Sequence, residues 1–454
     1  MTDILLNSPE ARDTAFHFHG YTNAREHEQN GPMIMDCGKG IRVFDNTGKS
    51  YIEAMAGLWS VALGFDEVRL ADAAYAQMRK LPFYHNFSHK SHGPVIDLAE
   101  KLISLAPAPM SKVFFTNSGS EANDTIIKMV WYRSNAMGKP EKKKIISRLR
   151  GYHGVTALSA SLTGLPNNHR SFDLPFEGIK HTTCPHFWKN GTDGETEEQF
   201  ATRCAEDLDT MIQQEGPDTV AAFIAEPIMG AGGVVVPPVT YWEKIQAVLS
   251  RYDILLIADE VICGFGRTGQ MFGSQTYDIQ PDIITMSKQI TSSYIPFSAF
   301  MINDRVYEPV ADESNRIGVL GHGFTGGAHP VGAAVALETI KIIEERDLVA
   351  NAAETGAYMM DKLNTLKGHA LVGEVRGKGL LAAVEMVAPQ GREAEFAAGA
   401  LGGRMNVIMT EKGLISRNMI DALAFCPPLI ITPAEVDEMV DILTASLDQL
   451  AAEL

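Results

Sequence analysis

Two hydrophobic rhythms alternate along the chain, and the change between them divides it. Short apolar runs dominate the middle: Lys112-Val-Phe-Phe-Thr116, Lys144-Ile-Ile-Ser147, Val220-Ala-Ala-Phe-Ile-Ala225, Ile254-Leu-Leu-Ile-Ala258, Ile283-Ile-Thr-Met286 and Phe297-Ser-Ala-Phe-Met-Ile302. Several are apolar at every position, which predicts strands covered on both faces of a mainly parallel sheet. Helical periodicity lies between most of them, at about Glu121 to Met137, Thr240 to Arg251 and Gly332 to Glu345. This alternation predicts an α/β fold with its chemistry on loops beyond the strand ends.

The flanks read differently. The first ~35 residues are polar and broken by Gly20, Asn30, Gly31 and Pro32, so no regular element is predicted there. A hairpin follows, with Gly40-Ile-Arg-Val-Phe44 and Lys49-Ser-Tyr-Ile52 around Asp45-Asn-Thr-Gly48. Helices are predicted at about Asp66 to Lys80 and Pro94 to Leu105. Beyond Glu345 a helix near Ala352 to Leu366, the runs Val372-Gly-Glu-Val-Arg-Gly-Lys-Gly379 and Leu380-Leu-Ala-Ala-Val-Glu385, and a last helix from Pro433 to Leu450 predict a smaller α+β domain. The expected division is residues 1–60 joining the small domain, 61–330 as the large domain and 331–454 as the C-terminal small domain.

Composition narrows the classes. With 454 residues and 45% hydrophobic positions there is material for a large buried core, which excludes a disordered or disulfide-scaffold chain. The formal charge of −17 argues against nucleic acid or an anionic membrane as partner, since both need a basic footprint. Five scattered cysteines form no CxxC pair, and no secretory leader or membrane-length apolar run is seen, so a reduced, cytoplasmic protein is expected. His17-Phe-His19 and the other histidines show no HExxH-like spacing, and no metal site is expected.

Three strand ends carry candidate chemistry. Thr116-Asn-Ser-Gly-Ser-Glu-Ala-Asn-Asp124 joins a strand to a helix, so Ser118, Gly119 and Ser120 can offer amides and hydroxyls to an anion at a helix N-terminus. The same residues also read as a plain capping box, Ser118 to Glu121. Asp259 closes a buried strand and needs a cationic partner, whether a structural salt bridge or a protonated ring nitrogen. Lys288 closes another apolar strand, where partial burial would depress its pKa and free its amine for Schiff-base formation. Gly264-Phe-Gly-Arg-Thr-Gly269 matches GxGxxG, but it follows no strand directly and opens no helix, so a nicotinamide reading is rejected. A phosphate loop, an acid for a pyridinium and an amine for an aldehyde are together the requirements of pyridoxal 5'-phosphate.

On these pieces the chain resembles a class III aminotransferase of the ω-transaminase, amine:pyruvate group. The matching segments are Asn117-Ser-Gly-Ser-Glu-Ala122, Gly151-Tyr-His-Gly154, Ala225-Glu-Pro-Ile-Met-Gly-Ala-Gly-Gly233, the segment from Ala258 to Gly269, Ser287-Lys288, and Thr325 ahead of His329-Pro330. The resemblance implies the fold type I architecture of pyridoxal-phosphate enzymes. It implies that Lys288 carries the cofactor and moves the substrate proton, and that Asp259 keeps the pyridine nitrogen protonated. Tyr152 and Val261 would cover the two ring faces. Ser118, Gly119 and Ser120 would hold the phosphate, with Thr325 reaching the phosphate of a neighbouring subunit in a homodimer or higher assembly. Glu226 would stand near the cofactor hydroxyl.

Two departures stand out: Gln289 follows the lysine where the family usually has glycine, and Gly326 replaces an aromatic residue. Val155 and Thr156 follow Gly154 where ornithine-type enzymes carry an arginine. Gly413-Leu-Ile-Ser-Arg417 and Cys426-Pro-Pro-Leu-Ile430 are similar to the amine:pyruvate group. The resemblance makes Arg417 the carboxylate-binding arginine and makes Leu58, Trp59, Phe87, Tyr152 and Ala231 the substrate walls. The expected reaction moves an amino group from an apolar or ω-amine donor to pyruvate by a ping-pong cycle. The alternatives are a taurine, β-alanine or 4-aminobutyrate enzyme, and an aminomutase or decarboxylating relative.

Overall fold

The computed structural model describes residues 7–454, which form fifteen strands in three sheets with helices packed around them. In chain order the strands are β1 (Met35–Lys39), β2 (Arg42–Asp45), β3 (Ser50–Glu53), β4 (Lys112–Thr116), β5 (Lys144–Arg148), β6 (Ile179–Thr182), β7 (Val220–Ala225), β8 (Leu255–Asp259), β9 (Ile283–Met286), β10 (Ser298–Ile302), β11 (Val372–Gly377), β12 (Ala382–Met386), β13 (Leu414–Ile415), β14 (Arg417–Met419) and β15 (Ala422–Phe425). The central sheet has the order β4-β10-β9-β8-β7-β5-β6. Its pairings are parallel except that β10 runs antiparallel to both β4 and β9.

The uninterrupted apolar runs have a simple cause. Successive side chains of a strand point to opposite faces, and here both faces are covered. Ile145, Ile224 and Ile257 pack on one side with Ile126, Ile127 and Val130 of the helix Gly119–Ala136. Their neighbours Ile146, Phe223 and Leu256 pack on the other side with Phe200, Leu208, Tyr241 and Ile245. Those residues belong to the helices Glu197–Glu215 and Tyr241–Arg251. Every residue of β7, β8, β9 and β10 is buried.

The two smaller sheets join distant parts of the chain. β1, β2 and β3 form an antiparallel meander, and β3 then pairs in parallel with β13, Leu414 opposite Ile52. The other sheet is antiparallel, in the order β11-β12-β15-β14. The last helix, Pro433–Glu453, starts with a capping box in which Thr432 and Glu435 satisfy each other's backbone amides. No helix among the described residues is long and apolar enough to cross a membrane.

The N-terminal stretch corrects the expectation of irregular chain. It contains the helices Pro9–Phe16 and Ala24–Asn30, and neither has a buried residue. Their support is local: Ser8 accepts from the Ala11 amide, and Asn23 accepts from those of Arg25 and Glu26. A pattern search keyed to an apolar face cannot detect such helices.

Candidate active site

The C-terminal ends of the parallel strands converge on one cavity, as this topology dictates. Gly119, Ser120, Asn123, Tyr152, His153, Gly154, Glu226, Asp259, Val261, Ile262, Ser287 and Lys288 line it, and its volume is about 110 Å³. Asp259 ends β8, Glu226 follows β7, Lys288 follows β9, and Tyr152 lies on the loop after β5.

Lys288 sits in the left-handed region at φ +49°, a conformation that costs a non-glycine residue roughly 1–3 kcal/mol and persists only where surroundings enforce it. Enforcement comes from its neighbours. The Ser287 hydroxyl accepts from that of Ser298 at 2.6 Å, and the buried Gln289 side chain donates to the Ile262 carbonyl at 2.6 Å. Gln289, the departure from the family pattern, therefore ties the lysine turn to the segment carrying Val261. Enclosure by protein lowers the Lys288 pKa to about 8, against the raising influence of Asp259 and Glu226. No described residue hydrogen-bonds its amine, which projects into the cavity.

The Asp259 carboxylate is fixed from three sides. His153 Nδ1 and Asn123 Nδ2 approach Oδ2 at 2.8 and 3.0 Å, and the Val261 amide donates to Oδ1 at 3.1 Å. Asn123 is itself oriented: its Nδ2 also donates to the His153 carbonyl, and its Oδ1 accepts from Thr285 at 2.8 Å. Glu226 accepts from the amides of Tyr152 and Gly230 at 3.0 and 2.8 Å, and burial raises its carboxyl pKa. Burial likewise raises the Tyr152 phenol, with Tyr21 as the next contributor.

At the other end of the cavity stands the N-terminus of the helix Gly119–Ala136. Ser118 caps it by accepting from the Glu121 amide at 3.2 Å, and Glu121 accepts in return from the Asn117 amide at 2.8 Å. The two readings of this segment are thus compatible: Ser118 serves the cap, while the amides of Gly119 and Ser120 face outward at the positive end of the helix dipole. Ser120 Oγ accepts from the Val155 amide, which leaves its proton for an anion. A Cβ on Gly119 would come within 3.3 Å of a Val261 methyl, so glycine keeps the floor of the cavity open.

Other predicted residues lie elsewhere. Trp59 is buried in an apolar cluster with Met55, Ile228, Ile262 and Met419, outside the cavity lining. Leu58 is exposed, and Ala231 sits half-buried on the turn after Glu226. Phe87 lines a separate surface hollow with Phe115, Gly323 and Phe324. Thr325 is exposed on the loop beside that hollow, and its neighbour Gly326 closes to Asn117, where a Cβ would lie 3.0 Å from Oδ1. Arg417 opens β14 with its guanidinium carbon 6.0 Å from the Tyr21 ring centroid, and its charge is felt at both Lys288 and Tyr152. None of the described salt bridges involves Arg417.

Sequence reading missed Asn123, His153, Thr285 and Tyr21. Asn123 and His153 stand inside motifs that were noticed, but nothing local shows that they converge on Asp259, 136 and 106 residues away. Tyr21 lies in a stretch without any periodic signal.

A seven-stranded, mainly parallel sheet with a lysine, an acid and a phosphate-ready helix at its strand ends defines the fold type I pyridoxal-phosphate transferases. Within that class the chain belongs to the class III aminotransferases, whose family model matches residues 23–447. It is 59% identical to an omega transaminase from Pseudomonas jessenii in complex with PMP, with a TM-score of 0.96 over 97% of this chain and 98% of that one. A thermostable omega transaminase variant engineered for asymmetric synthesis of enantiopure bulky amines gives 59% identity and 0.97, covering 98% and 99%. Among curated proteins, gamma aminobutyrate transaminase 1, mitochondrial, of Solanum lycopersicum is 47% identical over 90% of this chain and 80% of its own length. The protein is an aminotransferase dependent on pyridoxal phosphate.

The residues present fit that cofactor. An unpartnered enclosed amine, a fixed carboxylate and two outward amides beside a free hydroxyl proton are its three attachment chemistries. A first expectation follows from the enclosed amine. Burial lowers the pKa of Lys288, so its neutral form gains tenfold per pH unit up to about 8 and then saturates. Capture of pyridoxal phosphate by the apoprotein, trapped with borohydride and measured by mass, will therefore reach half its maximal rate near pH 8. A midpoint at the ordinary lysine value, about 10.4, would contradict the enclosure.

Proposed function

We propose that the enzyme moves an amino group from an apolar or ω-amine donor to pyruvate by a ping-pong cycle, releasing alanine. Bound in the cavity, the cofactor supplies an electron sink that makes the hydrogen on the amine-bearing carbon acidic. Lys288 provides the covalent attachment and holds the transferred proton on Nζ, an amine that its surroundings leave largely neutral above pH 8. Asp259, fixed by His153, Asn123 and the Val261 amide, presents a carboxylate to the ring nitrogen. Tyr152 and Val261 line the cavity where they would cover the ring, and the Gly119 and Ser120 amides would hold the phosphate.

The acceptor assignment rests on Arg417. Its guanidinium has no acidic partner among the described residues and lies against Tyr21 at the side of Tyr152. A guanidinium without an acidic partner, beside two tyrosine rings, suits a substrate pair in which one member carries a carboxylate and the other does not. Similarity to omega transaminases supports the apolar donor. The gamma-aminobutyrate transaminases among the relatives favour a second reading, in which the donor is an ω-amino acid and Arg417 serves both half-reactions. The proposal includes a homodimer, because Thr325 and Phe87 lie on the surface around the second hollow, away from this chain's own cavity.

Steady-state kinetics of Arg417→Leu with an arylalkyl amine, γ-aminobutyrate, pyruvate and 2-oxoglutarate decides between the readings. Loss of a charge-assisted pair worth about 1.5–3 kcal/mol raises the pyruvate KM by roughly 10- to 150-fold. The arylalkyl amine half-reaction should change less than threefold. A loss with γ-aminobutyrate as large as that with pyruvate, the arylalkyl amine being spared, would favour the ω-amino acid reading, and an unchanged pyruvate KM would remove Arg417 from the site.

A further inference from the structure

The described N-terminal segment carries a side-chain cluster that transamination does not use. Asp13 Oδ1 lies 3.0 Å from His17 Nδ1, while Oδ2 lies 2.7 Å from His19 Nε2 and 3.1 Å from His27 Nε2. The histidine rings are gathered together, with centroids 4.1 Å apart for His17 and His19 and 4.2 Å for His19 and His27. The ligand atoms of Asp13, His17 and His19 all fall within 4.8 Å of one another. A hollow beside them is lined by Thr14, His17, His19 and His27 among others.

Three elements bring the donors together. Asp13 belongs to the helix Pro9–Phe16 and His17 caps its C-terminus, one turn further on, so both face the same side. His19 lies on the connection, and His27 comes from the next helix, Ala24–Asn30. Neither helix has a buried residue to hold it, so the cluster itself is the main tie between them.

We propose that Asp13, His17, His19 and His27 bind one divalent transition-metal ion, of the zinc, cobalt or nickel class, per chain. Three imidazoles and one carboxylate are the donor set that such borderline ions prefer over magnesium or calcium. The present separations of 2.7–3.1 Å are hydrogen bonds. A tetrahedral ion with bonds of about 2.0–2.1 Å spaces its donors by roughly 3.3 Å, so the Asp13 contacts open slightly while His27, outside the group of ligand atoms lying within 4.8 Å of one another, turns inward to complete the set. The ion takes the lone pairs that now share protons with Asp13, and those protons leave to solvent. Its consequence is mechanical: it clamps the two helices whose connection carries Tyr21, the residue against Arg417 and Tyr152. The metal fastens the segment that carries Tyr21 and takes no part in the transfer.

The test uses tag-free holoenzyme, stripped with a chelator and titrated with Co²⁺ and Zn²⁺. One equivalent per chain is expected at micromolar concentrations, with visible cobalt bands of four-coordinate intensity. His19→Gln and His27→Gln should each weaken binding at least tenfold while retaining cofactor absorbance, since neither residue touches the cavity. Retained absorbance shows that the variants are folded and makes the loss specific. Binding that is absent below millimolar, or equal in wild type and in both variants, overturns the site and leaves the cluster as a hydrogen-bonded staple.

Discussion

Lys288→Ala will lower the rate of alanine formation by roughly 10⁴-fold, because one side chain performs two tasks that no neighbour can take over. The first is attachment. Among the described residues lining the cavity Lys288 supplies the only primary amine, and its neutral form is made available by enclosure. The second is proton transfer at the substrate carbon, which a positioned base accelerates by about 10²–10⁴ on its own. Other candidate bases are tied up: Glu226 accepts from two backbone amides, and Asp259 is committed to His153, Asn123 and Val261. Single-turnover absorbance with amine separates the two losses. The variant should still bind the cofactor through the helix N-terminus and Asp259, lack the lysine-bound chromophore, and be partly rescued by added methylamine. Retention of more than a hundredth of the wild-type rate would remove Lys288 from the catalytic role.

Asp259→Asn will cost roughly 10²–10³-fold in turnover, the size of losing one preorganised electrostatic group in an enclosed site. The substitution keeps shape and one hydrogen-bonding oxygen but removes the anion, so a ring nitrogen no longer gains by being protonated. His153 makes the change worse. Its Nδ1 now points at a carboxylate, and its Nε2 is buried without a partner, so an amide opposite Nδ1 leaves the ring poorly satisfied. Asn123→Ala separates charge from positioning. It leaves the carboxylate charged but removes the bonds to His153, Thr285 and Asp259, and should cost about tenfold or less. If Asn123→Ala were as damaging as Asp259→Asn, the orientation of Asp259 rather than its charge would be the controlling quantity.

Much of the site was legible because burial is costly for charge. Lys288 and Asp259 each end a run of apolar residues, and such placement is tolerated only where a partner or a task exists. Gly119 and Ser120 were legible from a strand-to-helix junction that leaves amides unpaired. Trp59 was read from its motif as a wall; in the fold it packs directly behind Ile262, a residue of the cavity lining, with 2% of its surface exposed. The histidine cluster was passed over because its donors follow no metal-ligand spacing, although Asp13 and His17 are one helical turn apart.

The sequence by itself determined the layered α/β character, because apolar runs without alternation can be satisfied only by strands covered on both faces. It also determined which residues have the chemistry for the cofactor, since ionisable groups at the ends of such runs are rare and costly. Tertiary structure alone decided what surrounds them. Asn123 and His153 meet Asp259 only because the segments that follow β4, β5 and β8 emerge at the same end of the sheet. β13 closes on β3, and Tyr21 comes to rest against Arg417, across most of the chain's length. Local periodicity reports which face of an element is buried, whereas the partners on that face are chosen by packing between segments far apart in sequence.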